Sequence, residues 1–526
     1  MSDVARFEFL LVIISAILIL ALVARRLSLP PSAAFIAGGL VMALIPGAPS
    51  ITLDPDLVLV IFLPPLLMSS AYFTVWASFR ANLVSILNLA VGAVLFSTLA
   101  VGCVTRWLAP GLPWSVCFAL GAILAPPDAV AAKSVLERVR LPERLSTLLE
   151  GESLLNDASS IVVYRVAIAA FLTGTFSITR ATTMFGVLSV GGVALGLALG
   201  WAAVFLIRRI GNATIVICLT LLLPWVGYVT GERLGVSGVM ATVTMGLLFG
   251  WHQHEVFPAK TRRSADAFWE VLTFLLEALI FVMIGLSLHS IAPLDHEIFP
   301  TTGRLVGGVA GVVLATIVVR FIWAYGATAV DWARGALRGI PHRKGRWGEA
   351  AILGWAGMRG VVSLAVALST PEDMPGRNFV LLTTFTLILV TVVVQGGTLS
   401  TLIRWTGVGE GDEEADGFLL TEYEARARMA TAQREAIEKL AVNEAGDVLH
   451  PRLLEQYRFR EGAATRYSRD PGGLKNDRDA HYAALKGTIV AGRSEILKLH
   501  RAGKIHDHVL RRLETELDLQ QLALET

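Results

Sequence analysis

Up to about residue 405 the chain alternates long apolar runs with short polar breaks, near 9–24, 32–48, 56–73, 82–104, 114–134, 148–172, 182–207, 212–230, 236–254, 267–290, 304–330, 349–370 and 378–403. A helix needs roughly 20 apolar residues to cross a hydrocarbon core about 30 Å thick. The pattern therefore predicts an all-α polytopic membrane protein with thirteen transmembrane helices in a domain over residues 1–405. The first run follows Asp3 and Glu8 and precedes Arg25 and Arg26. A signal peptide would show the reverse charge order and a cleavage site, so this run is read as a membrane helix. After Gly407 the pattern changes. Residues 409–414 (Gly-Glu-Gly-Asp-Glu-Glu) read as a solvated linker, and residues 422–440, rich in Ala, Arg and Glu, favour helix. Residues 406–526 are expected to form a helical cytoplasmic tail, either a solvated appendage or a regulatory or assembly element.

Composition agrees. The chain is 54% hydrophobic and 17% charged, with a mean hydropathy of +0.61, whereas soluble domains carry about 25% charged residues. A net charge of +2 gives no reason to propose nucleic acid as a partner. Cys103, Cys117 and Cys218 lie in apolar runs without ligand-like spacing and read as packing residues. Basic residues set the orientation. With the N-terminus outside, the inner loops hold eighteen Lys and Arg, among them Arg138, Arg140, Arg144, Arg262, Arg263, Arg343, Lys344 and Arg346. The outer side holds six: Arg6, Arg106, Arg180, Arg233, Arg304 and Arg377. The expected location is the cell (inner) membrane, with the tail in the cytoplasm.

Two runs resist being continuous helices. The fifth contains Ala125, Pro126, Pro127 and Asp128, and paired prolines remove donors and disrupt a helix. The twelfth contains Gly354, Gly357, Arg359 and Gly360. Irregular backbone at membrane depth is tolerated only where protein or a water-filled cavity covers it. Counted from run one and from run eight, each break falls in the fifth run. Interrupted helices in matching places of two halves point to an inverted-repeat transporter and its binding site. Run seven, near 182–207, then links two inverted six-helix repeats.

The sixth run carries Gly151, Glu152, Ser153, Leu154, Leu155, Asn156 and Asp157. Charge at bilayer depth is costly and usually marks an ion pathway. At 3.6 residues per turn, Glu152 stacks with Asn156 and Ser153 with Asp157, so the four polar groups are expected to form one patch. Asp157 falls about 14 Å into the helix at 1.5 Å per residue, near the bilayer midplane. Asp128 is expected either as a second site carboxylate or as the N-cap of a half-helix starting after Pro127. Arg359 is expected to pair with Glu152 and hold it ionised while Asp157 stays free to titrate. Glu277 and Arg320 read as structural partners, and Arg165 as a side chain snorkelling outward. His252 and His254 read as surface residues.

At these residues the chain resembles the monovalent cation–proton antiporter superfamily, and within it the electroneutral sodium–proton exchangers in their bacterial form. The resemblance rests on Glu152, Ser153, Asn156 and Asp157. It is joined by Phe62, Leu63, Pro64 and Pro65 in run three, and by Ser237, Gly238 and Gly246 in run nine. Ile280, Phe281, Gly285 in run ten and Gly357, Met358, Arg359, Gly360 in run twelve complete the series. It covers about residues 10–405, and the tail also resembles those of bacterial members. The resemblance implies thirteen spans as two inverted repeats with crossed broken helices. A mobile core (about 82–172 and 304–403) would move against a dimerisation scaffold (about 9–73 and 212–290). It implies Asp157 as carrier of Na+ or H+, with Ser153 and Asp128 helping to hold the cation and Glu152 with Arg359 as a structural pair. Asn156 is the mark of electroneutral one-for-one exchange. The partners would be a monovalent cation, protons, the lipid bilayer and a second copy of the chain, with no cofactor, in a role in pH homeostasis. One departure bears on Na+ against K+: relatives commonly have threonine where this chain has Pro127, which offers a carbonyl but no hydroxyl or amide donor. A K+/H+ antiporter is the nearest alternative. Further readings are a cation channel, an intramembrane aspartyl protease using Asp128 and Asp157 as a dyad, and a membrane sensor signalling through the tail. The channel reading lacks a repeated filter pattern, and the protease reading lacks a Gly-x-Gly-Asp motif.

Overall fold

The computed structural model describes residues 3–27, 29–44, 55–128, 141–287, 301–337, 346–408, 421–441, 448–470 and 475–525. Among these residues every regular element is a helix and there is no β-strand. They fall into two compact units, Met1–Glu413 and Glu414–Thr526. The first unit opens with α1 (Asp3–Arg26), α2 (Pro31–Ala43), α3 (Pro55–Phe73) and the short α4 (Trp76–Ala81). Next come α5 (Leu83–Leu108), α6 (Trp114–Leu124), α7 (Glu143–Thr173) and α8 (Ile178–Ile207). α9 (Ala213–Arg233), α10 (Gly238–Val256), α11 (Ala259–Ser287) and α12 (Thr302–Leu337) follow. The unit ends with α13 (Arg346–Trp355), α14 (Val361–Leu368) and α15 (Arg377–Thr406).

Among the described residues each apolar run of the sequence contains a helix, and the twelfth contains a broken pair. Seven helices, α5, α7, α8, α9, α11, α12 and α15, are long and apolar enough to cross a membrane. Large apolar side chains such as Val84, Val190 and Leu314 are exposed on these helices, as expected where lipid rather than water is the neighbour. Proline does not break every helix it enters. Pro64 and Pro65 lie inside α3, whereas Pro126 and Pro127 end the helical path of α6.

In lipid, helices gain little from burying apolar groups against one another, so close contact through small residues does much of the packing. α8 shows this against α10. Gly192, Gly196 and Gly200 recur every fourth residue on one face of α8. A Cβ on Gly192 would lie 2.7 Å from Met240 Cβ, and one on Gly200 2.7 Å from Leu248 Cδ2; at Gly196 it would collide with the Ala241 carbonyl. Around the broken helices, buried Ile123, Leu124, Val312, Val366 and Leu387 form one apolar cluster. Phe35, Phe281, Met358, Val361 and Leu364 belong to another.

The second unit contains α16 (Glu422–Leu440), α17 (Pro451–Arg469), α18 (Lys475–Arg501) and α19 (Asp507–Glu525). α16 occupies the stretch expected from its composition and starts with a capping box, Thr421 N–H donating to Glu424 Oε2 at 2.8 Å. Arg434 ties α16 to α17 through Glu461 at 2.8 Å, and its hydrogen bond to Glu438 holds that carboxyl below the ordinary carboxylate range. Arg493 ties α18 to α19 through Asp518 at 2.6 Å. The linker expected over 409–414 lies outside the described residues.

The α8 stripe yields a direct test. Gly196→Ala forces α8 and α10 apart and is expected to cost about 1–3 kcal/mol, the usual penalty for overpacking. Gly186→Ala on the same helix, where an added Cβ meets nothing within 4 Å, is expected to leave stability unchanged. Thermal unfolding in detergent compares the two.

Candidate functional site

The site is organised by two helix breaks that touch. α6 stops at Leu124 and residues 126–128 are non-helical; α13 stops at Trp355 and residues 357–360 are non-helical before α14 begins. Such ends leave backbone carbonyls without helical partners and concentrate negative charge at the C-termini. Buried Arg359 answers both ends at once. Its Nε donates to the Leu124 carbonyl at 2.6 Å and its Nη1 to the Gly357 carbonyl at 2.9 Å. Its own backbone N–H donates to Thr391 Oγ1 at 3.0 Å, inside a π-helical turn of α15 spanning Thr391–Gln395. Arg320 Nε donates to the Leu353 carbonyl at 3.0 Å, in the last turn of α13. The breaks also bond directly, Asp128 N–H to the Met358 carbonyl at 2.7 Å.

Both motif glycines are needed for this approach. A Cβ on Gly357 would collide with Arg320 Cδ and Nε, and a Cβ on Gly360 with the Asp128 carboxylate. Gly360 is the N-cap of α14 and has no side chain to cap with. The Asp128 carboxylate lies against it, where a helix N-terminus favours negative charge. The half-helix that Asp128 was expected to cap falls in residues 129–140, outside the described residues. What is described is Asp128 at the start of the other broken helix.

The pairing of Glu152 differs from expectation. It binds Arg320, not Arg359, with Oε1 accepting from Nη1 at 2.7 Å and Oε2 from Nη2 at 2.9 Å. The planar guanidinium fork matches a carboxylate in this two-bond geometry, while Arg359 is committed to backbone carbonyls. Arg320 is thus a structural partner, as expected, but of Glu152. Arg165 does not simply extend outward: its Nη2 binds Glu232 Oε2 at 2.8 Å.

The expected single patch on α7 is two rows. Glu152 and Asn156 face the breaks. Asn156 is fully buried, and its Nδ2 donates to the Pro127 carbonyl at 2.8 Å. Its Oδ1 has no hydrogen-bond partner among the described residues. Asn156 therefore pins a break and does not line the cavity. Ser153 and Asp157 face a cavity of about 230 Å³, together with Asp128, Glu150 and Glu277. Leu63, Leu66 and Leu67 of α3, Phe281 of α11 and Val361 of α14 form its apolar wall. Its mouth lies at exposed Ser70, Phe73 and Glu150. Asp157 is 8% exposed and makes no hydrogen bond or ion pair with another described residue. Among the described residues no Lys or Arg lines the cavity.

Glu277, expected only as a structural partner, is half-buried in the cavity wall. Glu150 was missed, although its spacing of three residues to Ser153 and seven to Asp157 puts it on their helical face. Thr391 left no signal, because a lone threonine in an apolar run looks like packing. The resulting chemistry is a low-dielectric chamber with oxygen ligands and, among the described residues, no positive side chain. Hard cations take oxygen ligands, and the same carboxylates can take protons.

Known proteins resemble the chain in a consistent way. The family described as "Sodium/hydrogen exchanger, transmembrane" matches residues 12–405. A Mycobacterium tuberculosis protein named as an uncharacterized Na+/H+ exchanger is 30% identical, over 97% of this chain and 95% of its own length. The Na+/H+ antiporter NhaP of Pseudomonas aeruginosa is 31% identical, over 75% of this chain and 95% of its own. The sodium proton antiporter MjNhaP1 of Methanocaldococcus jannaschii superimposes with a TM-score of 0.58 at 21% identity, covering 77% of this chain and 99% of that one.

The buried pair sets an expectation for stability. Arg320→Gln leaves the Glu152 charge uncompensated and is expected to cost about 3–5 kcal/mol. Removing both charges (Glu152→Gln with Arg320→Gln) is expected to recover much of this in thermal unfolding. Glu152→Gln combined with Arg359→Gln is expected to recover little of the stability lost by Arg359→Gln, because Arg359 hydrogen-bonds the Leu124 and Gly357 carbonyls and Glu152 is bonded to Arg320.

Proposed function

The chain belongs to the sodium/hydrogen exchanger family, and on that premise we propose that this multi-pass membrane protein trades one Na+ for one H+ across the cell membrane, with both competing for Asp157. The coarser activity, exchange of a cation for protons, follows from family membership, and the relatives are transporters and not enzymes. One observation carries the finer reading. Asp157 is more than nine-tenths buried at the deep end of an open cavity, while its neighbour Glu152 is neutralised by Arg320. One carboxylate on this stretch is matched, and the other is available to a cargo.

Ser153 and the carboxylate of Asp128 supply further oxygens to the cation, and water completes its shell. A bare Asp157 is costly to move through the membrane interior. A bound proton or cation removes most of that cost, so either loaded form crosses more easily than the empty one. Obligatory coupling follows from that difference. Asn156, a neutral amide where a second carboxylate would add charge, suits one-for-one electroneutral exchange.

The architecture we propose has thirteen crossings in two inverted six-helix repeats, with α8 between them. α5, α6, α7 and α12 to α15 form the moving core; α1 to α3 and α9 to α11 form the scaffold, through which two copies pair. The distribution of basic residues supports an N-terminus outside and a tail in the cytoplasm. The mouth at Glu150 is six residues from Arg144, on the predicted cytoplasmic side, so this state faces inward. A K+/H+ reading has its own support: Pro127 contributes no hydroxyl, and its carbonyl already accepts from Asn156. A Bacillus subtilis relative, 30% identical, is named a sodium, potassium, lithium and rubidium/H+ antiporter.

Proton flux in proteoliposomes under an imposed Na+ or K+ gradient tests this. Cation-driven proton movement is expected to persist with the membrane potential clamped and to disappear in folded Asp157→Asn protein. Robust coupled flux in that variant would remove Asp157 as carrier. Competition also fixes a pH dependence: acidifying the cation-binding side is expected to raise the apparent KM for cation in proportion to proton concentration, with maximal rate unchanged. A maximal rate that falls while KM stays constant would contradict a shared site.

A further inference from the structure

The cavity has its mouth at one end of α7, and the opposite half of the helix is closed. Beyond Asp157, Ala158, Ser160, Val162, Tyr164 and Ala167 are all buried. On that closed side one ion pair crosses from α7 to its neighbours. Arg165 lies eight residues past Asp157, about 12 Å along the helix at 1.5 Å per residue. Its Nη2 meets Glu232 Oε2 at 2.8 Å, with side-chain exposures of 36% and 31%. Glu232 sits in the last turn of α9, and its other oxygen accepts the Gly238 N–H at 3.3 Å. Gly238 is the first residue of α10, so the carboxylate also answers that helix's positive N-terminus. Glu232 is thereby held to the α9–α10 corner, and Arg165 ties the carrier helix to it.

We infer that the Arg165–Glu232 pair is a latch that positions α7 with Asp157 facing the cavity mouth, and that it parts when Asp157 turns to the other side. This rests on the reading above that α7 moves against α9 and α10 during exchange. The pair is half-exposed, so its contribution is modest. Pairs of this kind bias an equilibrium by up to about fivefold, enough to set the resting orientation without trapping it. A tighter, fully buried pair on this side would slow every cycle. Glu152–Arg320 differs for that reason: it joins α7 to α12, both in the moving core, and need never open.

The test uses the full-length chain with its three cysteines replaced and Ser70→Cys added at the mouth, labelled by a membrane-impermeant maleimide. Glu232→Gln keeps an oxygen for Gly238 N–H but loses the charge, and Arg165→Gln removes the other half. Each is expected to slow labelling at the mouth by about threefold to fivefold. Each is also expected to lower the apparent KM for cation on the opposite face relative to the mouth face. Exchanging the charges (Arg165→Glu with Glu232→Arg) is expected to restore both. Unchanged labelling and an unchanged ratio of the two KM values, in variants that melt like the parent and still exchange, would overturn the latch alone. Absence of coupled flux in the parent protein would instead overturn the exchange reading. If Arg165→Gln does not fold, Glu232→Gln decides by itself.

Discussion

The fold depends on neutralising two helices that stop in the middle of a membrane. An interrupted helix buried in lipid presents backbone carbonyls and amides that water cannot reach, and each unsatisfied group costs several kcal/mol. Here the ends are answered almost entirely by three charged side chains. Arg359 takes the Leu124 and Gly357 carbonyls, Arg320 takes the Leu353 carbonyl, and the Asp128 carboxylate lies at the start of α14. The two breaks also serve each other, through the bond from Asp128 N–H to the Met358 carbonyl. The crossing is the condition that lets irregular backbone exist at this depth, and so the condition for a binding site there at all.

That arrangement explains the distribution of charge on α7. Three acidic side chains lie within two turns and have three different situations. Glu150 is exposed at the cavity mouth, Glu152 is sealed against Arg320, and Asp157 lies deep in the cavity. Helical geometry separates them: positions 150, 153 and 157 share one face, and 152 and 156 share another. Glu152 and Asn156 bind neighbouring elements, while Ser153 and Asp157 face the cavity. The stretch can carry both duties because residues one apart point about 100° from each other. Swapping any polar residue with its sequence neighbour would exchange a structural role for a binding one.

Much of this was legible in the chain. The apolar runs located the helices, the Pro-Pro pair and the glycine-rich stretch located both breaks, and the cluster at 152–157 supplies two of the side chains that face the cavity. The choice between Arg320 and Arg359 was not legible. Both are single arginines in apolar runs, and sequence carries no information on which one reaches Glu152 and which one reaches a helix end. Gly357 was a usable clue only afterwards: it is glycine because the Arg320 side chain passes where a Cβ would be. Glu150 was legible but looked like a residue at the edge of a run, and Glu232 was hidden for the same reason. Their roles come from what packs across from them, which is a tertiary property.

Selective exchange then needs little beyond this geometry. On the proposed reading the cavity carboxylates, Asp157 among them, are the groups whose charge changes when cargo binds, whereas Glu152 is matched by Arg320 and Arg359 is bound to carbonyls. Movement of the core as proposed would then carry the paired charges unchanged and the cavity charge as the variable one. The cost of burying that variable charge decides which forms cross. A second unpaired group, such as Glu152 freed from Arg320, would add a cost that cargo cannot remove, and loaded and empty forms would then cross with more similar difficulty. On that reading the buried ion pair matters for coupling as well as for stability, because it keeps Glu152 from adding a charge that cargo cannot remove.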